Sequence, residues 1–219
     1  MNTCVVDVPI KNLALIDLLN DYLYLVNDIN IDEYYQLDGS LEDRDQKTSI
    51  EYLQWQMDVG NKHQGNGKGC AYPVKSNHIK KSAVNSAYYV EKINKLNDKM
   101  STEIAANRSV LSVVYPPGGF INWHNNANAP GYGFIFTWSE TGDGYWQHVD
   151  PITKDIITIP DVPGWQCKSV YYGSYDTPDK IVYHTASTNC WRMTQSFLLN
   201  NSDESLTLVE QIKDDISNN

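Results

Sequence analysis

Two imidazoles and one guanidinium are the groups in this sequence best placed to do chemistry. His124 closes the run YPPGGFINWH and opens a polar loop, HNNANAPG, while His184 closes KIVYH. Arg192 follows in CWRMTQSF, with Thr194 two residues on. If that run is a strand, Arg192 and Thr194 share a face, because alternate residues of a strand point the same way. A cation and a hydroxyl so placed suit the gripping of a carboxylate by charge-assisted hydrogen bonds. Two strand-end imidazoles beside them ask for a metal ion and an anionic ligand. The bland alternative is two hydrogen-bonded histidines and an arginine paired with a surface acid, and spacing alone leaves both open.

The other three histidines carry weaker signals. His63 and His78 lie in loop-like stretches and are expected at the surface. His148 sits in WQHVD, so the pair His148–Asp150 reads H-x-D on one strand face; an aspartate ending a hairpin at DPITKD explains Asp150 as well. The glycine-rich NKHQGNGKGCAYP (61–73) lacks a Gly-Lys-Ser/Thr ending and a preceding strand, so it is expected to be a mobile loop, a lid rather than a nucleotide cradle.

These groups need a scaffold, and the chain changes grammar near its midpoint. Residues 1–108 read as helix and loop. Leu15, Leu18, Leu19, Tyr22 and Val26 fall at helical spacing, as do Val90, Ile93, Leu96, Met100 and Ile104 within 83–106. The acidic, punctuated 30–49 stretch between them is expected to be surface loop. Residues 109–200 hold short β-branched and aromatic runs (SVLSVVY, GYGFIFTW, DGYWQHV, DIITIP, CKSVYYGSY, DKIVYH, WRMTQSFLL) separated by Gly, Pro, Asp and Asn turns, the pattern of an antiparallel sandwich or barrel. Residues 201–219 suggest a last short helix capped by Ser202 or Asp203. No Pro/Ser linker divides these parts, so a single α+β domain is expected, with helices buttressing a β core.

Composition narrows the partners. The chain has 219 residues, 41% of them hydrophobic and 20% charged, as in ordinary globular domains. A formal net charge of -10 disfavours duplex nucleic acid and anionic membranes, which need basic patches. A flipped or single base could still enter a pocket. Cys4, Cys70, Cys167 and Cys190 form no C-x-x-C pair and are expected as free thiols in a reducing compartment. No signal peptide or membrane-length apolar run is evident, so a cytoplasmic location is expected.

Residues 109–199 resemble the double-stranded β-helix of the Fe(II)/2-oxoglutarate-dependent oxygenases, in the prolyl-4-hydroxylase-like layout. Tyr115, Gly118 and His124 meet the pattern Y-x-x-G followed by H-x-D; His184 and Arg192 resemble the distal histidine and the cosubstrate-binding basic residue. The stretch also resembles uncharacterised tailed-phage proteins labelled as such oxygenases, which would place it in a host cytoplasm. The resemblance implies a jelly-roll (cupin-like) core, a metal site of His124 and His184, and an Arg192, Thr194 and Tyr115 clamp for 2-oxoglutarate. It implies, too, that molecular oxygen and 2-oxoglutarate are consumed, with succinate released, as a small molecule or peptide is hydroxylated.

The alignment favours His124 over His148 as the proximal ligand. It also exposes a departure, because the carboxylate position of H-x-D is Asn126. An uncharged amide leaves the site one unit more positive and binds iron less firmly. Asn126 could ligate through its carbonyl oxygen, hold a water, or mark a retired enzyme that now binds something else. Glu140 and Asp143 are substitute carboxylates, expected in a turn away from the metal. Trp123, Phe136, Trp138 and Trp146 are candidate pocket walls, though an ordinary core position is the better expectation for each. Loops 61–78 and 125–131 are expected to flank the mouth. A cupin-like dioxygenase working without 2-oxoglutarate would show a richer histidine cluster, and none is present.

Overall fold

The computed structural model describes residues 4–59, 67–106, 108–126, 129–200 and 203–218. Two antiparallel sheets face one another, and helices cover the outer side of the larger. The elements run β1 (Val5–Val8), α1 (Leu13–Asn27), α2 (Ile31–Tyr34), α3 (Arg44–Lys47), α4 (Ile50–Val59), β2 (Gly69–Cys70), β3 (Tyr72–Pro73) and α5 (Ser86–Glu103). There follow β4 (Arg108–Tyr115), β5 (Phe120–His124), β6 (Gly131–Ser139), β7 (Gly144–Val149), β8 (Ile156–Pro160), β9 (Gly164–Tyr172), β10 (His184–Thr188), β11 (Arg192–Asn200) and α6 (Asp203–Ser217). The larger sheet has the order β1-β9-β6-β11-β4-β3 and the smaller β2-β5-β10-β7-β8. From β4 onward the chain changes sheet at each strand, the β7–β8 hairpin excepted.

Alternation decides what each face of the larger sheet meets. On β6 and β11, Phe134, Phe136, Phe197 and Leu199 point outward into a core shared with Leu15 and Leu19 of α1, Met100 of α5 and Val209, Ile212 and Ile216 of α6. Each such phenylalanine contributes roughly 2–3 kcal/mol by leaving water. The residues between them, Ile135, Thr194, Ser196 and Leu198, face the smaller sheet across a cavity. Asn12 caps α1, its side chain accepting from the Leu15 amide at 3.0 Å.

Several elements depart from expectation. The 30–49 stretch contains α2 and α3 rather than loop alone. Helix α4 buries only Leu53 and exposes Ile50 and Trp55, so no apolar stripe announces it. The four-residue β1 pairs with β9 at the edge of the larger sheet, where only helix and loop were expected. Two very short strands, β2 and β3, occupy the described part of the glycine-rich loop, and His63 lies outside the described residues. His184 opens β10 rather than closing a strand; Ile181–Tyr183 precede the ladder as buried irregular chain. Asp203 is the first residue of α6, and Ser202 lies outside the described residues.

Candidate functional site

Strand β10 lies between β5 and β7, and its first residue organises the site. His184 stands opposite His124 on β5 and opposite His148 on β7. Directly paired residues share a face of the sheet, so three imidazoles form a row across the ladder. The His124 and His184 rings are buried with centroids 4.1 Å apart.

Both rings are held in the same tautomer by backbone two residues upstream. His124 Nδ1 donates to the Asn122 carbonyl at 2.8 Å, and His184 Nδ1 donates to the Val182 carbonyl at 3.1 Å. A carbonyl oxygen can only accept, so Nδ1 carries the proton and Nε2 the lone pair in each ring. Metal-ligating histidines are oriented in this way. Burial pushes the His124 imidazole down to a pKa of about 4, against the pull of Asn122, the His184 backbone and Asn126. Burial, then the neighbouring His124, drives His184 well below the usual histidine range. Both are therefore neutral at pH 7, the state a metal ion requires.

Asn126 follows on the loop after β5 with φ of 60°, a left-handed conformation that asparagine tolerates. Its side chain lines the cavity beside His124 and Tyr172, and the Tyr172 ring lies 5.3 Å from that of His184. Gly67 lies against the same imidazole: a Cβ there would stand 2.7 Å from His124 Nε2. Of the two loops expected at the mouth, Gly67, Asn126 and Ala129 line the cavity; residues 60–66, 127 and 128 lie outside the described residues.

The cavity has a volume of ≈ 340 Å³, within the range of about 300–1,000 Å³ usual for small-molecule sites. His124, His184, Asn126 and Trp146 line it from the smaller-sheet side, and Tyr115, Arg192 and Thr194 from the larger. Arg192 is 3% exposed, its guanidinium 5.4 Å from the Tyr115 ring centroid. It donates from Nη1 to Thr194 Oγ1 at 2.7 Å and from Nη2 to Thr137 Oγ1 at 3.5 Å. Its Nε donates to Asp161 Oδ2 at 2.8 Å, and that carboxylate is wholly buried. Arg192 is thus paired with a buried acid, where a surface acid was the bland expectation. Among the described residues three of its five N–H groups are spent, leaving one on each Nη.

Asp161 was not foreseen; in IPDVPGW it reads as a turn residue. Its Oδ1 accepts from Gln166 Nε2 at 3.0 Å. Gly144 makes room for it, since a Cβ there would come within 2.6 Å of Asp161 Oδ2.

Other candidates fall elsewhere. His148 is buried and stacked on Trp146 at 4.8 Å, its Nδ1 without a partner among the described residues. Its H-x-D partner, Asp150, caps the hairpin turn by accepting from the Ile152 and Thr153 amides at 2.8 and 2.9 Å. Among the described residues no three His, Cys, Asp or Glu side chains gather as a metal-holding group. Glu140 and Asp143 sit in the β6–β7 turn and pair with Trp191 and Asn189. Trp123 packs outward on Leu53 and Val149, Phe136 belongs to the helix-covered core, and Trp138 packs beneath the helices; of the four aromatic candidates only Trp146 lines the cavity. His78 is exposed and the four cysteines are free, as expected. No helix among the described residues is long and apolar enough to cross a membrane.

No protein-family model matches the chain, and no match was found among curated proteins. Among solved structures it is similar to a prolyl-4-hydroxylase of Pseudomonas putida, with a TM-score of 0.45 and 9% identity over 92% of this chain and 95% of that one. It is similar also to a prolyl hydroxylase of Trichoplax adhaerens, solved with a hypoxia-inducible-factor peptide, with a TM-score of 0.43 and 9% identity over 93% and 86%.

Proposed function

We propose that this protein is a non-haem Fe(II)- and 2-oxoglutarate-dependent oxygenase acting on a small molecule or peptide. One observation carries the reading: two neutral imidazoles, tautomerically fixed on opposed strand positions, share one cavity with a buried arginine that has two N–H groups to spare. The strand orders β9-β6-β11-β4 and β5-β10-β7-β8, with the chain alternating between sheets, support a double-stranded β-helix beneath it.

The donor set fits a divalent metal through two nitrogens. His124 and His184 would hold Fe(II) by Nε2, with the Asn126 amide oxygen or a water in the third protein-side position. The bound metal supplies the oxidising chemistry, using molecular oxygen and 2-oxoglutarate. The chain's own work is positional. Asn122 and Val182 carbonyls lock the imidazoles, and the spare Nη protons of Arg192, with Thr194 and Tyr115 beside them, receive the far carboxylate of the keto acid. Trp146, Ile135 and Leu198 keep bulk water from the space between.

The experiment is anaerobic addition of Fe(II) and then 2-oxoglutarate to the metal-free protein, watching for the visible charge-transfer band of a metal-chelated keto acid. The expected result is a band in wild type, none in His184→Ala, and at least a tenfold higher 2-oxoglutarate requirement in Arg192→Ala, the loss of roughly 1.4 kcal/mol or more. A second reading, a binding protein that has given up catalysis, is favoured by the absence of a carboxylate at position 126. It predicts no band in wild type and a band in Asn126→Asp. No band in either variant ends the oxygenase reading.

A further inference from the structure

The charge of the Arg192 cluster does not stop at Arg192. Lys168 lies on β9 opposite Ile135, a cavity-lining residue of β6, and so projects to the inner side of the larger sheet. Its side chain is only 4% exposed. Nζ donates to Gln166 Oε1 at 3.0 Å, Gln166 Nε2 donates to Asp161 Oδ1 at 3.0 Å, and Asp161 Oδ2 receives Arg192 Nε at 2.8 Å. The Gln166 amide is oriented by its two neighbours, its oxygen toward the ammonium and its nitrogen toward the carboxylate. One relay therefore joins two buried cations through one buried anion.

Among the described residues, the one other acid near Lys168 is a poor counterion. Asp7 Oδ1 stands 3.8 Å from Nζ, and the Asp7 side chain is 75% exposed. Water and salt screen such a partner strongly. Burial lowers the Lys168 pKa from its ordinary value, with Asp7 and Asp161 pulling it back. Two buried cations against the single carboxylate of Asp161 leave this cluster with an excess of one positive charge.

Isolated buried charge is costly, and a structural role does not require it. Arg192 and Asp161 alone would form a neutral pair with little long-range attraction for an anion. We propose that Lys168 is the specificity-determining residue of the anion subsite: acting through Gln166 and Asp161, it keeps the Arg192 cluster net positive and so selects a carboxylate-bearing ligand over a neutral one. This deepens the oxygenase reading, since the ligand would be the keto-acid cosubstrate.

A probe without the keto-acid chelate, titrated into metal-free protein, separates the anion subsite from the oxygenase reading. Glutarate, a dicarboxylate without a keto oxygen, is titrated calorimetrically into the full-length metal-free protein. Lys168→Met keeps the aliphatic stem and removes the charge. It should weaken glutarate binding by about tenfold, raise the 2-oxoglutarate needed for the iron band by a similar factor, leave Co(II) affinity within about twofold, and melt no lower than wild type. Asp7→Asn, a surface change that should not disturb folding, should bind glutarate at least as tightly as wild type. A purely structural Lys168–Asp7 pair predicts the reverse: both variants melt lower and glutarate binding is unchanged, or Asp7→Asn weakens it as Lys168→Met does. Either result overturns the proposal, as does absence of glutarate binding in wild type. An iron band unmoved by Lys168→Met leaves the oxygenase and removes Lys168 from it; glutarate binding that depends on Lys168 without any iron band leaves the anion subsite and removes the oxygenase.

Discussion

At the scale of single residues, position 126 is where sequence and geometry bear most directly on each other. The backbone φ of 60° is one that aspartate adopts nearly as readily as asparagine, so Asn126→Asp adds a charge without refolding the loop. The new carboxylate would lie beside His124, and divalent-metal affinity should rise by about tenfold or more, read by Co(II) titration. An unchanged affinity would mean that side chain 126 does not face the metal. His124, His184, Arg192 and Thr194 stand out by spacing, because strand ends and alternate positions leave a trace in sequence; Tyr115 enters only through the family resemblance. Asp161, Gln166 and Tyr172 do not stand out. Asp161 is tied to the site by Arg192, far along the chain, and Tyr172 by its packing on His184 of another strand; Gln166 joins only through Asp161, and a single acid among turn residues looks like any other turn.

At the scale of elements, the length of a run decides how legible it is. Helices α1 and α5 are long enough for the 3.6-residue stripe to show, and six of the seven β runs are strands; the seventh, DKIVYH, stops where β10 begins, and β5 is not among the seven. Strand β1 has four residues and exists because β9 offers an edge. Helix α4 has one buried residue and is held by tertiary contact. That contact matters for the site. Leu53 packs on Trp123, whose Nε1 donates to the Thr48 carbonyl at 2.9 Å, and Trp123 is the residue before His124. Leu53→Ala should cost about 2–4 kcal/mol in urea unfolding. It should also weaken metal binding several-fold, by loosening the end of β5. If stability falls and Co(II) affinity does not, α4 supports the fold without positioning His124.

At the scale of the whole molecule, the two buried site imidazoles tie stability to pH. The unfolded chain takes up a proton on each histidine near pH 6.5, whereas folded His124 resists until about pH 4. Between those values the unfolded state binds more protons, so stability falls as the solution is acidified. His124 alone accounts for a loss on the order of 3 kcal/mol across that window, and the downward shift of His184 adds in the same direction. Thermal melts of the metal-free protein should drop steeply from pH 6.5 to 4. His124→Gln, which has no proton to gain, should make the curve shallower, leaving the part due to His184 and to buried His148. A wild-type melt independent of pH over this range would contradict the buried neutral state of these rings.

The opposition of His124 to His184 across the β5–β10 ladder has an implication for how such a protein can change over time. The distance between the two imidazoles is set by strand pairing, not by any loop. Beyond Asn126, the loop after β5, whose Ala129 lines the cavity, can therefore lengthen, shorten or be rewritten at modest entropic cost while the span between the rings stays the same. What the loop meets at the cavity and what the paired strands hold at its floor are mechanically separate, so the one can be exchanged over time without moving the two rings apart.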